Sequence, residues 1–257
     1  MANQRNPSIV AVIQARMGSS RLPGKVLKDI GGEPMLFREV VRIRRSQIIG
    51  QVVIATTTDK SDDAVAEICT SKGIPCFRGD PYDVLDRYYQ AACHFAARII
   101  VRLTGDCPLI DPGEIDRTVD AFCGAKVDFA ANRLPLPWKR TTPIGMDTEV
   151  VSFAALERTW HEAKAKYARE HVMPYLYEEP GRFKVLLVDH EPDLGHLRLT
   201  VDTSEDLELI RRIFAHFEYS NDFTLDDILA LLDQHPELLK LNAGVEHKGY
   251  KDIDDRG

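Results

Sequence analysis

Residues 15–25 (ARMGSSRLPGK) hold three cations, Arg16, Arg21 and Lys25, beside Gly18, Gly24, Ser19 and Ser20. Glycines let backbone N–H groups close on an anion, the cations neutralise it, and three charges over eleven residues suit a triphosphate. The stretch is not a Walker A loop: five residues separate Gly18 from Gly24, one of them Pro23, and Val26 follows the lysine where a hydroxyl is needed. Nor does it hold the Gly-x-Gly-x-x-Gly of dinucleotide sites, so a solvated basic loop stays open beside phosphate binding. A second set is acidic. Asp106 follows Thr104-Gly105, and Asp202 precedes Thr203-Ser204. Magnesium at nucleotide sites takes one or two carboxylates, with phosphate oxygens and water completing its shell. The residues alone also allow a turn aspartate before Pro108 and a helix-opening aspartate at 202.

These residues must be positioned by the elements around them. Short apolar runs at 8–14, 51–55 and 99–103 read as buried strands. Between them, residues 80–97 carry Val84, Leu85, Tyr88, Tyr89, Ala92, Phe95 and Ala96 at helical spacing, and residues 112–122 open with a proline suited to a first turn. Strand–helix alternation predicts an α/β fold with a mostly parallel sheet flanked by helices, whose ligands lie beyond the strands' carboxyl ends. Arg16 and Asp106 both follow such strands. A stiff loop with Pro135, Pro137 and Pro143 then interrupts the pattern. After it we expect strand 146–151, helix 153–168, strands 183–188 and 197–201, helix 204–217, and helix 225–235 capped by Thr224. Residues 1–240 read as one domain, with an excursion at about 133–180 for substrate or dimer contacts and a polar tail at 241–257. Arg38, Arg42 and Arg45, at helical spacing, read as a solvated face.

Composition narrows the partners. The 257 residues carry 33 Lys plus Arg against 40 Asp plus Glu, a net charge of −7, which argues against a general binder of nucleic acid or membrane surfaces. No run is long and apolar enough for a transmembrane helix or a signal peptide, and a cytoplasmic protein is expected. The five cysteines form no Cys-x-x-Cys pair, so neither a zinc site nor a disulfide framework is signalled.

Residues 14–27 (QARMGSSRLPGKVL) resemble the nucleotide loop of the sugar cytidylyltransferases, which activate sialic acid and ketodeoxyoctonate, and most of all their spore-coat polysaccharide branch. Further similar blocks follow in the family's order: 55–58 (ATTT), 77–89 (FRGDPYDVLDRYY), 101–111 (VRLTGDCPLID), 145–150 (GMDTEV), 169–175 (REHVMPY) and 197–207 (LRLTVDTSEDL). The resemblance spans about residues 8–215 and implies a Rossmann-like nucleotide-diphospho-sugar transferase sheet. It implies that Asp106 and Asp202 hold Mg2+, and that Arg16, Arg21 and Lys25 hold the β- and γ-phosphates of CTP, with Arg16, Lys25 and Asp106 catalytic. Gln14, Ala15, Met17, Gly18, Ser19, Ser20, Thr56, Arg102 and Thr104 complete the expected nucleotide site. Arg102 departs from the sialic acid and ketodeoxyoctonate enzymes and is typical of the spore-coat branch.

By the same resemblance Asp147, Glu170, His171 and Tyr175 face the sugar. Helix-end packing before Pro174 is the alternative for His171 and Tyr175, which would share a helical face. Arg133, Lys139 and Arg140 lie in a loop without a matching block and could meet an acidic sugar. The expected reaction moves CMP from CTP to a sugar or sugar acid in polysaccharide precursor synthesis, within a homodimer. A transferase with another nucleotide or a phosphate or phosphonate acceptor, a glycosyltransferase and a non-catalytic nucleotide binder are the alternatives. Asp252-Ile253-Asp254 resembles a glycosyltransferase Asp-x-Asp but follows no strand.

Overall fold

The structure, a computed structural model, describes residues 6–246; Asp252-Ile253-Asp254 and most of the polar tail lie outside the described residues. The elements run β1 (Asn6–Gln14), β2 (Asp29–Ile30), β3 (Glu33–Pro34), α1 (Met35–Ile43), β4 (Ile49–Thr57), α2 (Asp63–Ser71), β5 (Cys76–Gly79), α3 (Val84–His94), β6 (Ile99–Thr104) and α4 (Pro112–Ala125). They continue with β7 (Phe129–Ala131), β8 (Glu149–Ser152), α5 (Phe153–Glu162), α6 (Lys166–His171), α7 (Pro174–Tyr177), β9 (Val185–Leu187), α8 (Ser204–His216) and α9 (Leu225–Gln234). Seven strands form one sheet in the order β5-β4-β1-β6-β8-β7-β9, while β2 and β3 make a separate small hairpin.

The centre of the sheet follows from its apolar runs. Residues Ile9 to Ile13 are buried without a break. Ala11 and Ile13 pack into the cluster with α1, α4, α8 and α9, whereas Val10 and Val12 pack into the opposite cluster with α3, α5, α6 and α7. A parallel strand covered on both faces needs apolar residues at consecutive positions rather than alternate ones. The chain runs from β1 outward to β4 and β5, then returns to place β6 on the other side of β1. That reversal leaves a crevice beyond Gln14 and Thr104, which stand in register at the carboxyl ends of β1 and β6. β8 runs antiparallel to both β6 and β7, so its first residue, Glu149, pairs with Arg102 near the carboxyl end of β6. An antiparallel strand thus presents its amino end to the same crevice.

Three expectations are corrected. Residues 197–201 form no strand; they lie extended along the loop after β7, joined by one parallel bridge between Ile144 and Arg198. Gly145, at φ +105°, lets this segment close in, because a Cβ there would stand 2.6 Å from the Leu199 carbonyl. The helix expected at 153–168 is broken into α5 and α6. Its sequence contains no helix breaker, but Arg169 donates to the Trp160 and Ala163 carbonyls at 3.1 and 3.0 Å, satisfying the end of α5 from outside. Arg38 and Arg42 are not solvated: they are 5% and 0% exposed. The Arg42 guanidinium donates to the carbonyls of Leu109, Ile110, Asn221 and Phe223 at 3.0–3.2 Å and lies over the Phe223 ring, tying α1 to the segments before α4 and α9. Periodicity marks a face but not what covers it.

At the carboxyl side, Thr224 caps α9 as expected, reciprocated by Asp227. Residue 242, assigned to the polar tail, belongs to the packed structure: Asn242 is 5% exposed and donates to Arg198 O and Asp206 Oδ1. No helix among the described residues is long and apolar enough to cross a membrane.

Candidate active site

The loop after β1 is shaped by its backbone before its charges matter. Gly24 takes the left-handed conformation, φ +67°, and its N–H donates to Met17 O at 3.0 Å, closing the loop into a ring. A short 3-10 turn, Lys25–Leu27, follows and turns the Lys25 side chain back toward the sheet. The Met17 N–H donates to Asp62 Oδ1 at 2.6 Å, and Asp62 also accepts from Thr57, so the far wall of the loop is pinned to the end of β4.

The two aspartates are brought together by backbone bonds. Val201 N–H donates to Asp106 O at 2.9 Å, and Thr200 Oγ1 donates to the same oxygen at 3.0 Å. The extended 197–201 segment is thereby locked to the turn after β6, and the residues that follow each contact face one another. Between them lies the Lys25 ammonium, 2.8 Å from Asp106 Oδ2, 2.8 Å from Asp202 Oδ1 and 2.9 Å from Val201 O. Asp202 further pairs with Arg21 at 2.9 Å and Arg198 at 2.8 Å. Burial opposes the Lys25 charge, but Asp106 and then Asp202 outweigh it and hold the ammonium above the usual lysine range. Burial likewise opposes ionised Asp202, yet Lys25, Arg198 and Arg21 hold it well below the usual carboxylate range. Asp202 is therefore ionised beside the Lys25 ammonium at neutral pH. Beneath it, Glu39 is fully buried and accepts from Cys107 N–H at 3.2 Å; burial, then the Asp106 charge, raise its pKa well above normal.

This charged cluster lines a cavity of about 370 Å³. Gln14, Ala15, Arg16, Gly18, Ser19, Ser20, Arg21, Lys25, Arg102, Thr104, Asp106 and Asp202 all line it, as do Asp147, Glu170 and His171. Met17, Thr56 and Tyr175 do not. Met17 is turned to Asp62 through its backbone, and Thr56 is fully buried within β4. Tyr175 donates to Glu162 at 2.9 Å and stacks 3.8 Å beneath the Arg182 guanidinium. It shares no helical face with His171, because α6 stops there, Val172 takes φ +71°, and Pro174 opens α7.

The cavity also includes Val84, Arg87, Arg133, Glu149 and Tyr177, which were not assigned to the site from sequence except Arg133. Glu149 lies inside the 145–150 block and could have been found from the ladder, since it stands in register with Arg102 and accepts from its Nη1. Arg102 Nη2 reaches Gln14 Oε1 at 3.1 Å, so Gln14, Arg102 and Glu149 form one connected group in the cavity lining. Of the loop cations, Arg140 pairs with both oxygens of Asp147 at 2.5 and 2.9 Å, and Lys139 pairs with Asp193.

The oxygen donors of Asp106 and Asp202 suit a hard divalent cation, and the ammonium already between them shows that the space accepts a positive charge. Among the described residues no group of three or more His, Cys, Asp or Glu is placed to hold a metal ion. A crevice with cations on a glycine loop, facing paired carboxylates, is chemically equipped to hold a polyphosphate and stabilise charge moving along it.

The chain has relatives of known family and structure. The chain is 32% identical over 247 residues to the spore coat polysaccharide biosynthesis protein SpsF of Bacillus subtilis, covering 89% of this chain and 95% of that protein. It is 36% identical to a cytidylyltransferase of known structure from Leptospira borgpetersenii, with a TM-score of 0.85 over 93% of this chain and 99% of that one. The fold is shared with a CMP:2-keto-3-deoxy-manno-octonic acid synthetase solved with CTP, at 20% identity and a TM-score of 0.61, covering 81% and 99% of the two chains. Residues 10–241 match the cytidylyltransferase family, and on that match over most of its length the chain belongs to the cytidylyltransferases.

Proposed function

We propose that the protein transfers CMP from CTP to a hydroxyl of a sugar or sugar acid, releasing pyrophosphate, in the making of a surface polysaccharide precursor. The observation that carries this reading is the Lys25 ammonium held between Asp106 and Asp202 at the mouth of the glycine loop. The SpsF relative's role in spore coat polysaccharide biosynthesis supports the setting, and the CTP in the synthetase of the same fold supports the nucleotide.

In this reaction the acceptor oxygen forms a bond to the α-phosphorus, the bond from that phosphorus to the β-phosphate oxygen breaks, and the acceptor's proton is lost to solvent. Arg16, Arg21 and Lys25 line the side where the β- and γ-phosphates would lie, and they offset the charge that builds on the leaving pyrophosphate. Ser19 and Ser20 offer hydroxyls on the same loop. Asp106 and Asp202 would hold Mg2+, which when bound supplies Lewis-acid polarisation of the phosphate. Asp147, Glu170 and His171 line the same cavity and would orient the acceptor hydroxyls, with Asp147 held by Arg140. The proposal includes a homodimer joined through residues 133–180, where Leu136 is 85% exposed. Incubating the protein with each nucleoside triphosphate, magnesium and a panel of sugars, sugar acids and sugar phosphates, and reading pyrophosphate, tests the assignment. Release with CTP and one acceptor class supports it. Sugar-nucleotide hydrolysis without pyrophosphate, or turnover with another nucleotide alone, overturns it.

A further inference from the structure

After α9 a 3-10 turn, Pro236–Lys240, sets Leu238 and Leu239 against the core, and Leu241 follows them there. The next residues turn from the core to the active site. Asn242 is 5% exposed, Val245 N–H donates to Asn242 O at 3.0 Å, and Glu246 O accepts from Arg21 Nη1 at 3.3 Å. The family match ends at residue 241, so the segment 242–246 lies just past it. Core packing accounts for the leucines. It does not account for an asparagine amide buried among charged groups, which is costly unless each of its bonds is made.

The groups it touches are those that hold Asp202. The two oxygens of that carboxylate have different partners: Oδ2 takes Arg198 at 2.8 Å and Arg21 at 2.9 Å, and Oδ1 takes Lys25 at 2.8 Å. Arg198 is gripped in turn by Asp206, Nε to Oδ1 and Nη2 to Oδ2, both at 2.9 Å. Asp206 is fully buried, and its Oδ2 also accepts the N–H groups of Asp202 and Thr203 at 2.9 and 3.1 Å. The reciprocal cap at the start of α8 explains Asp206 locally. Asn242 comes from 36 residues further along the chain. Its amide has two protons and uses both, on Asp206 Oδ1 at 2.9 Å and Arg198 O at 3.1 Å. One side chain thus joins the Arg198 backbone to the carboxylate that holds the Arg198 guanidinium. A buried ion pair keeps its geometry only when its remaining lone pairs are satisfied, and Asn242 supplies such a bond. Resting on the cytidylyl-transfer reading, we propose that Asn242 is a positioning residue: through Arg198 and Asp206 it keeps Asp202 Oδ1 turned to the space that Lys25 fills beside Asp106, and so sets the affinity of the two carboxylates for a divalent cation.

Removing a group that orients a metal-holding carboxylate lowers metal affinity by about 10–100-fold. In Asn242→Ala, Mn2+ binding with CTP present but no acceptor, followed by electron paramagnetic resonance, should therefore weaken by at least about tenfold. The metal concentration for half-maximal pyrophosphate release should rise by a similar factor, and saturating metal should restore most of the turnover. Two further variants separate donation from packing. Asn242→Leu keeps the bulk of the side chain but donates nothing, and should weaken Mn2+ as much as alanine does. Asn242→Asp keeps the shape, donates nothing and sets a carboxylate against Asp206, so it should weaken Mn2+ most of all. A residue that only fills space would leave the leucine and aspartate variants close to wild type and alanine the worst. That order, or Mn2+ binding by Asn242→Ala equal to wild type, would overturn the inference. Binding is read well below the melting temperature of each variant; should Asn242→Asp fail to fold, the alanine and leucine variants decide. If the wild-type protein releases no pyrophosphate from CTP with any acceptor, the functional reading fails; if it does and Asn242→Ala binds Mn2+ like the wild type, the Asn242 inference alone fails.

Discussion

Replacing Lys25 with alanine tests the centre of the site in two independent ways. The ammonium uses all three of its protons, on Asp106, Asp202 and Val201 O. Hydrogen bonds to charged groups contribute about 1.5–3 kcal/mol each, and breaking a buried ion pair costs about 3–5 kcal/mol. The site is not sealed: the Asp106 and Asp202 side chains are 24% and 15% exposed, and Asp202 keeps Arg21 and Arg198. Water and two guanidiniums recover much of the loss, leaving a net cost of about 2–3 kcal/mol. For a chain of this length each kcal/mol moves Tm by about 2–4 °C, so the variant should melt about 4–12 °C lower. Turnover should fall by about 10²–10³, the usual effect of removing one preorganised donor from developing charge. Manganese provides the second test. With the ammonium gone, two carboxylates face each other without their shared cation, and Mn2+ without nucleotide should raise the Tm of Lys25→Ala more than that of the wild type. Near-normal pyrophosphate release, an unchanged Tm, or equal manganese shifts in the two proteins would refute the reasoning.

Acid stability should depend on Asp202. Its native pKa is depressed, so its contribution is complete above the unfolded value of about 4 and drains away as pH falls toward the native one; urea melts at neutral and acidic pH should show a shallower acid loss in Asp202→Asn. Arg42→Met should cost about 3–5 kcal/mol by leaving the buried carbonyls of Leu109 and Ile110 without that donor, while Asn221 and Phe223 keep Arg45, seen as a lower urea midpoint with an unchanged m-value. Tyr175→Phe should leave turnover and acceptor KM intact and stability within about 1 kcal/mol, because it loses only a bond to Glu162 outside the cavity.

What the sequence made legible divides by range. The strand at β1, the strand-end placement of Arg16 and Asp106, and the capped start of α9 are local features, written in apolar runs and cap residues that act over a few positions. Asp202 could be placed at a helix opening, but its meeting with Asp106 depends on the bond from Val201 N–H to Asp106 O, between residues far apart in the chain. Arg38 and Arg42 show the opposite failure. A row of arginines has the pattern of a wet face, and only the carbonyls gathered from four other residues make a dry place for Arg42. The resemblance groups Tyr175 with His171, and one continuous helix would put both on a single face, but the helix ends between them, where Val172 leaves the helical region. The missed residues, Arg87 and Glu149, lie inside recognisable blocks; the apolar stripe of residues 80–97 passes over Arg87, and only tertiary placement puts it in the cavity lining.

The charge distribution has a further consequence for how a polyanion enters so acidic a protein. Arg21 and Lys25 are not a bare positive patch: both already rest on Asp202, and Lys25 on Asp106 as well. Extended polyanions gain affinity by pairing with cations that are otherwise free, and here each gained phosphate contact would cost a contact with a carboxylate. A nucleotide arriving with a divalent cation would escape that penalty, because Asp106 and Asp202 would hold the cation while the Lys25 ammonium and Arg21 guanidinium turned to the phosphates. On the proposed reading, Asp106 and Asp202 therefore do more than hold a metal. On that reading they would make the loop selective for a metal-bound polyphosphate over a phosphate chain alone, and would couple the two binding events. The coupling is reciprocal: the metal must strengthen nucleotide binding by the same factor as the nucleotide strengthens metal binding.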